Sequence, residues 1–152
     1  MVKVDKKTDK SEEEINTIQI VSFLIDNALY GMDISNVREI IKVGKITYVP
    51  GSAEYITGVM NLRGMVIAVV DMGNLLGFSK IVFSDQTRII ITEIQNQTLV
   101  GFLVDEIINI VNVSPDKIEP PPATLEKNRT KYIKGEVQMD GELMAILDLA
   151  EI

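Results

Sequence analysis

The sequence has no cysteine, no histidine and no tryptophan in its 152 residues. Without cysteine or histidine there is no disulfide, no thiol nucleophile, no Cys/His zinc site and no imidazole base. Any catalysis or metal binding falls to carboxylates, lysines and hydroxyls. Aromatic residues amount to 5% and are scattered, so the base-stacking platforms of nucleic-acid-binding barrels have no counterpart. A net charge of −7 argues against a phosphate backbone as partner, which needs clustered Lys and Arg. Long apolar runs are also missing. The longest, Met65-Val66-Ile67-Ala68-Val69-Val70, stops at Asp71, far short of the roughly 20 residues of a membrane-spanning helix. Met1 to Glu14 mixes charges and lacks the apolar stretch of a signal peptide. It reads as a disordered tail, with the cytoplasm as the expected compartment and no membrane insertion.

What the sequence does contain is a repeat. Tyr55-Ile56-Thr57-Gly58 returns as Tyr132-Ile133-Lys134-Gly135, and at the same spacing Gly64 meets Gly141, Ala68 meets Ala145 and Asp71 meets Asp148. Upstream, at a shorter spacing, Leu29-Tyr30-Gly31 falls on Leu99-Val100-Gly101, Val37 on Ile107 and Ile40 on Ile110. The growing spacing places an insertion in the second copy around 120–129. Each copy reads as short strands rich in Ile and Val. Hairpins are expected about Asp26-Asn27, Leu62-Arg63-Gly64, Gln95-Asn96-Gln97 and Asp140-Gly141, with a strand at Ile46 to Val49 and a short helix from Met72 to Leu76. About five short strands per copy favour closure, which removes exposed edges. The expected fold is all-β: two small five-stranded β-barrels packed side by side, with short helical turns between strands. The units span about 15–83 and 84–152, with an exchange of first strands left open. Copies this small should share an interface.

Residues common to both copies read as architecture. Gly31/Gly101, Gly58/Gly135 and Gly64/Gly141 suit turns or close backbone approach, and Asp71/Asp148 suit caps on free backbone N–H groups. Function is sought where the copies differ. Asn61-Leu62-Arg63 faces Gln138-Met139-Asp140, and Glu39 faces Asn109. An arginine on a hairpin tip is an interface anchor, a solvated turn residue, or the partner of Glu39; the sequence leaves these open. A carboxylate-based enzyme using Asp71, Asp148 or Glu39 is a poorer reading, because no nucleophile or oxyanion donor accompanies them. An aliphatic, Met-containing surface suits a helix or another barrel, so an adaptor is favoured over an enzyme.

The run from Tyr55 through Asn61-Leu62-Arg63-Gly64 to Val69-Val70-Asp71 resembles the core signature of CheW-like chemotaxis coupling proteins. So do Tyr30-Gly31-Met32-Asp33-Ile34 with Val37-Arg38-Glu39-Ile40, and Val100-Gly101-Phe102-Leu103-Val104-Asp105 with Ile118 to Pro121. The resemblance covers about residues 17–152. It implies two small β-barrels and a non-enzymatic scaffold with no cofactor and no metal. Such a scaffold links the cytoplasmic tip of methyl-accepting chemoreceptors to the histidine kinase CheA, recruited through receptors to the inner face of the membrane. The regulatory domain of CheA resembles the coupling protein, so similar barrels meet and can close into rings. Carried onto this sequence, the receptor-facing residues are Val37, Glu39, Gly58, Asn61, Leu62 and Arg63, with Gly101, Ile107 and Ile110 from the second copy. They would line an aliphatic groove between the barrels that takes an apolar face of the receptor hairpin. A CheW-like interaction domain serving a sensory kinase outside motility is the alternative. The family pattern continues into a C-terminal helix, whereas this sequence stops at Glu151-Ile152.

Overall fold

Paired positive φ angles close the hairpins. They occur at Asp26-Asn27 (51° and 65°), Arg63-Gly64 (49° and 88°) and Asp140-Gly141 (48° and 84°). Two-residue turns of this hand match the right-handed twist of the strands they join. The computed structural model describes residues 16–121 and 131–149. The expected tail over 1–14, and residues 122–129 of the expected insertion, lie outside these.

Ten strands follow in chain order: β1 (Ile18–Ile25), β2 (Ala28–Asp33), β3 (Val37–Lys42), β4 (Ile56–Leu62), β5 (Met65–Asp71), β6 (Arg88–Ile94), β7 (Thr98–Val104), β8 (Glu106–Val113), β9 (Ile133–Met139) and β10 (Glu142–Leu147). One helical turn, α1 (Met72–Leu75), follows β5. A 3-10 turn at Ile34–Asn36 joins β2 to β3, with the Asp33 carboxylate accepting from the Ser35 N–H at 2.9 Å.

The strands form two five-stranded sheets, ordered β8-β1-β2-β10-β9 and β3-β6-β7-β5-β4. Each sheet therefore takes strands from both copies. β1 and β2 sit with β8 to β10, while β6 and β7 sit with β3 to β5. Two parallel pairings make the joins, β2 with β10 and β5 with β7. Internal symmetry is kept in detail. β1 and β8 are shifted by a bulge beside Ile108, and β3 and β6 by the matching bulge beside Arg38.

The sheets are not closed into barrels, which corrects the expected closure. Among the described residues the edge strands share no ladder. Each open side is crossed by a single bridge, Thr47 to Val59 in the second sheet and Glu119 to Glu136 in the first. The strand expected at Ile46 to Val49 shrinks to that one residue. The bridge is tight: the Thr47 N–H donates to the Val59 carbonyl, and the Val59 N–H to the Thr47 carbonyl, both at 2.8 Å. Gly58 permits it, because a Cβ there would collide with the Thr47 carbonyl, whose carbon lies 2.8 Å away. Gly135 does the same at Glu119. We expect Gly58→Val to break the bridge and lower the unfolding free energy by about 1–3 kcal/mol, as overpacking does. A denaturant midpoint equal to that of the parent chain would refute this.

Three apolar cores result. Ile20, Val113, Val137, Met144 and Ile146 fill the first sheet. Met60, Ile67, Val69, Ile89, Ile91 and Leu103 fill the second. The largest lies between them and draws on both, with Phe23, Ile25, Tyr30 and Met32 against Val70, Ile90, Phe102 and Val104. The side that each sheet turns toward the other is covered only by their contact.

Candidate functional site

Arg63 occupies a conformation that suits few L-residues (φ 49°). Its counterpart Asp140 has φ 48°, but a short acid tolerates the left-handed region better than a long cation does. The turn itself is held by Asn61, whose Oδ1 accepts the Gly64 N–H at 2.8 Å. An arginine kept in a disfavoured conformation on an exposed tip invites a reason for the side chain.

That reason is partly visible. The two ends of the Arg63 guanidinium reach both carboxylate oxygens of Glu39 on β3. β3 and β4 are the two edge strands of the second sheet, so this fork spans its open side. It joins the residues that differ between the copies, since Glu39 is replaced by Asn109 and Arg63 by Asp140. Hydrogen bonding from Arg63 holds the Glu39 carboxyl below its ordinary value of 4.5, against a smaller opposing desolvation, and the guanidinium charge adds to the lowering. A depressed carboxyl pKa means that the pairing is fully present above the ordinary range. It is lost only as pH falls through the lower folded value. The Glu39 carboxyl carbon should therefore titrate by NMR below 4.5, and Arg63→Gln should return it upward; no movement in that variant would contradict the pairing.

Beneath the fork lies an apolar floor. Glu39, Arg63 and Leu62 line one cavity with Met65, Ile91 and Leu99. Arg38 and Glu93 line the same cavity and form a second ion pair. Sequence reasoning missed that pair. The bulge at Arg38, between the pairs Val37–Thr92 and Glu39–Ile91, has no signature in the sequence.

The other expected residues are dispersed. Val37 begins β3 and packs on the shared core. Gly58 serves the Thr47 bridge. Gly101 is buried in β7, where a Cβ would lie 2.7 Å from Ile89 Cγ2, and it presents no surface. Ile107 packs inward on the shared core. Ile110, 53% exposed, stands on β8 of the first sheet. A cleft of about 190 Å³ does lie between the sheets, walled by Met32, Thr92, Ile94, Leu147 and Leu149 with Glu93 and Asp148, and none of the nine expected residues lines it.

Of the paired aspartates, Asp71 is committed to backbone donors. Asp71 is 4% exposed, and its two oxygens accept the N–H groups of Asn74 (3.0 Å) and Ile81 (2.9 Å). It caps α1, as the duplication suggested. Among the described residues no three metal-ligating side chains gather.

A final difference concerns charge. Equivalent grooves open beside the two closing bridges. In the second sheet the groove is lined by Lys42 and Lys45 with Thr47, Val59 and Val66. In the first it is lined by Asp116, Glu119 and Glu136, with Lys117 and Leu143. Val66 and Leu143 occupy matching positions and are both over half exposed.

Comparison with known proteins accords with this duplicated frame. The CheW-like domain pattern matches residues 19–152. "Chemotaxis protein CheW" of Bacillus subtilis is 33% identical over 130 residues, covering 86% of this chain and 83% of its own. The protein of the same name from Thermotoga maritima is 31% identical over 141 residues, covering 92% and 90%. The crystal structure of the scaffolding protein TtCheW from Thermoanaerobacter tengcongensis is similar at a TM-score of 0.82 and 33% identity, covering 92% of this chain and 90% of that one.

Proposed function

The chain belongs to the family of CheW-like domains, and from that premise we propose that it is a non-enzymatic scaffold of bacterial chemotaxis. It couples the cytoplasmic tips of chemoreceptors to the kinase CheA and so puts kinase activity under receptor control. The observation that carries this reading is a duplicated frame with an unduplicated surface. Turns, bulges and glycine contacts repeat, whereas the Glu39–Arg63 fork and the sign of charge in the end grooves do not.

A scaffold needs separate faces for separate partners. The apolar floor of Leu62, Met65, Ile91 and Leu99 suits the apolar side of a helical hairpin, with the fork fixing its rim. The basic and acidic grooves suit a partner built from similar sheets, because charge complementarity sets the register between like shapes. Among the described residues no helix is long and apolar enough to cross a membrane. On the scaffold reading, receptors bring the protein to the inner membrane face.

Reconstitution tests the proposal. Receptor-bearing membranes, CheA and this chain are mixed, and kinase autophosphorylation is measured with and without attractant. Control by attractant should appear only when the chain is present. Lys42→Glu with Lys45→Glu should weaken capture of the CheA regulatory domain while leaving the melting curve in place. An attractant response equally strong without the chain would dispose of the proposal.

A further inference from the structure

The sequence holds seven methionines, and exposure separates the six that are described. Met32, Met60, Met72 and Met144 are at most 9% exposed. Met139 is half-buried against the core of the first sheet. Met65 is 52% exposed. It opens β5 directly after the Arg63-Gly64 turn and pairs in register with Leu62. It lies in the cavity that also carries Arg38, Glu39 and Arg63. A leucine would supply the same apolar floor. A thioether adds one property, oxidation by a two-electron oxidant.

We propose that Met65 is a peroxide-sensitive modification site that alters the Glu39–Arg63 surface. In the reaction, hydrogen peroxide transfers one oxygen atom to Sδ. The O–O bond breaks, the S–O bond forms, sulfur gives up two electrons, and water leaves. The product is a polar, chiral sulfoxide in place of a flexible apolar group. Its oxygen is a strong hydrogen-bond acceptor, and two guanidinium groups, those of Arg63 and Arg38, line the same cavity. The sulfoxide therefore competes with Glu39 for Arg63 and makes the apolar floor polar. Methionine sulfoxide reductases reverse the change. The site of oxidation stands on exposure alone, while its consequence for kinase control rests on the scaffold reading.

The full chain is treated with limiting hydrogen peroxide and mapped by peptide mass. Met65 should oxidise ahead of every other described methionine, with a lead of roughly tenfold in rate, because susceptibility follows exposure. Met139 or a buried methionine oxidising level with it overturns the proposal. NMR titration of Glu39 in the oxidised chain gives a readout that needs no partner. The carboxyl should move back toward its ordinary value as Arg63 is drawn away, and an unchanged titration overturns the effect on the surface. In the reconstituted system the oxidised chain should lose several-fold of its kinase control and regain it with reductase. Met65→Leu, compared with itself before and after peroxide, should lose nothing, and Met139→Leu should remain sensitive. Control that survives with Met65 mapped as sulfoxide overturns the switch. An untreated chain that gives no control would sink the scaffold reading instead, and the mapping and titration arms would still decide the site.

Discussion

Phe102→Ala is expected to lower the unfolding free energy by about 3–5 kcal/mol, the usual cost of emptying a fully buried aromatic site. Phe102 lies on β7 of the second sheet at 0% exposure, within the core shared by both sheets. Its neighbours there include Phe23, Ile25 and Tyr30 from β1 and β2 of the first sheet. The loss should therefore be felt on both sides. We expect one cooperative transition, with far-ultraviolet circular dichroism and tyrosine fluorescence coinciding along the denaturant axis. Tyr30 and Tyr132 report from the first sheet, and Tyr55 lies just before β4 of the second. Two separated transitions, with the first sheet melting at the parent midpoint, would show that each sheet stands alone. The strand exchange makes that outcome hard to reach. β1 and β2 are joined to β3 by three residues of chain, and β7 to β8 by one. Unfolding either sheet pulls strands from the other.

That exchange also marks where the sequence stopped being readable. Strand positions, the four turns and the α1 cap follow from local rules: positive-φ pairs such as Asp140-Gly141, β-branched runs such as Arg88–Ile94, and a carboxylate placed to accept backbone N–H groups. The repeat spacing is the same whichever sheet β1 and β2 join, so it cannot distinguish a unit built from one copy from a unit built from both. Closure failed for a different reason. Alternation in β3 and β4 says that both have an inner face, not that they meet. The chain leaves β3 at Lys42 and returns to β4 only through Thr47, and one bridge replaces a ladder. Of the expected surface residues, Glu39, Leu62 and Arg63 share a cavity because two edge strands curl toward each other. Gly101 and Ile107 fall inside for packing reasons that pattern alone does not reveal. Their matches, Gly31 and Val37, pack inward too, so the duplication itself held that warning.

Arg63→Glu is the change expected to cost the most function. The turn should survive it, because the same turn in the other copy carries Asp140 at φ 48°. Arg63 itself shows that a long side chain fits at this φ (49°), so the melting temperature should stay close to that of the parent. The surface changes completely. Glu39 loses its donor and faces another carboxylate, with Glu93 lining the same cavity, so the rim that spanned the open side of the sheet is pushed apart. Receptor control of the kinase should fall by about tenfold or more, the scale of a central interface anchor. Parent-level control in this variant would remove the fork from the site. The exchanged pair, Glu39→Arg with Arg63→Glu, separates two ways in which Arg63 could act. If the fork serves to hold β3 and β4 at a fixed distance, reversing both charges restores the bridge and most of the control. If a partner carboxylate reads the guanidinium itself, the reversed pair puts the cation on β3 instead of the tip, and control stays lost although the bridge has reformed. Titration of the tip glutamate distinguishes a failed swap from an informative one, since a reformed pair depresses its pKa just as Arg63 depresses that of Glu39 in the parent chain.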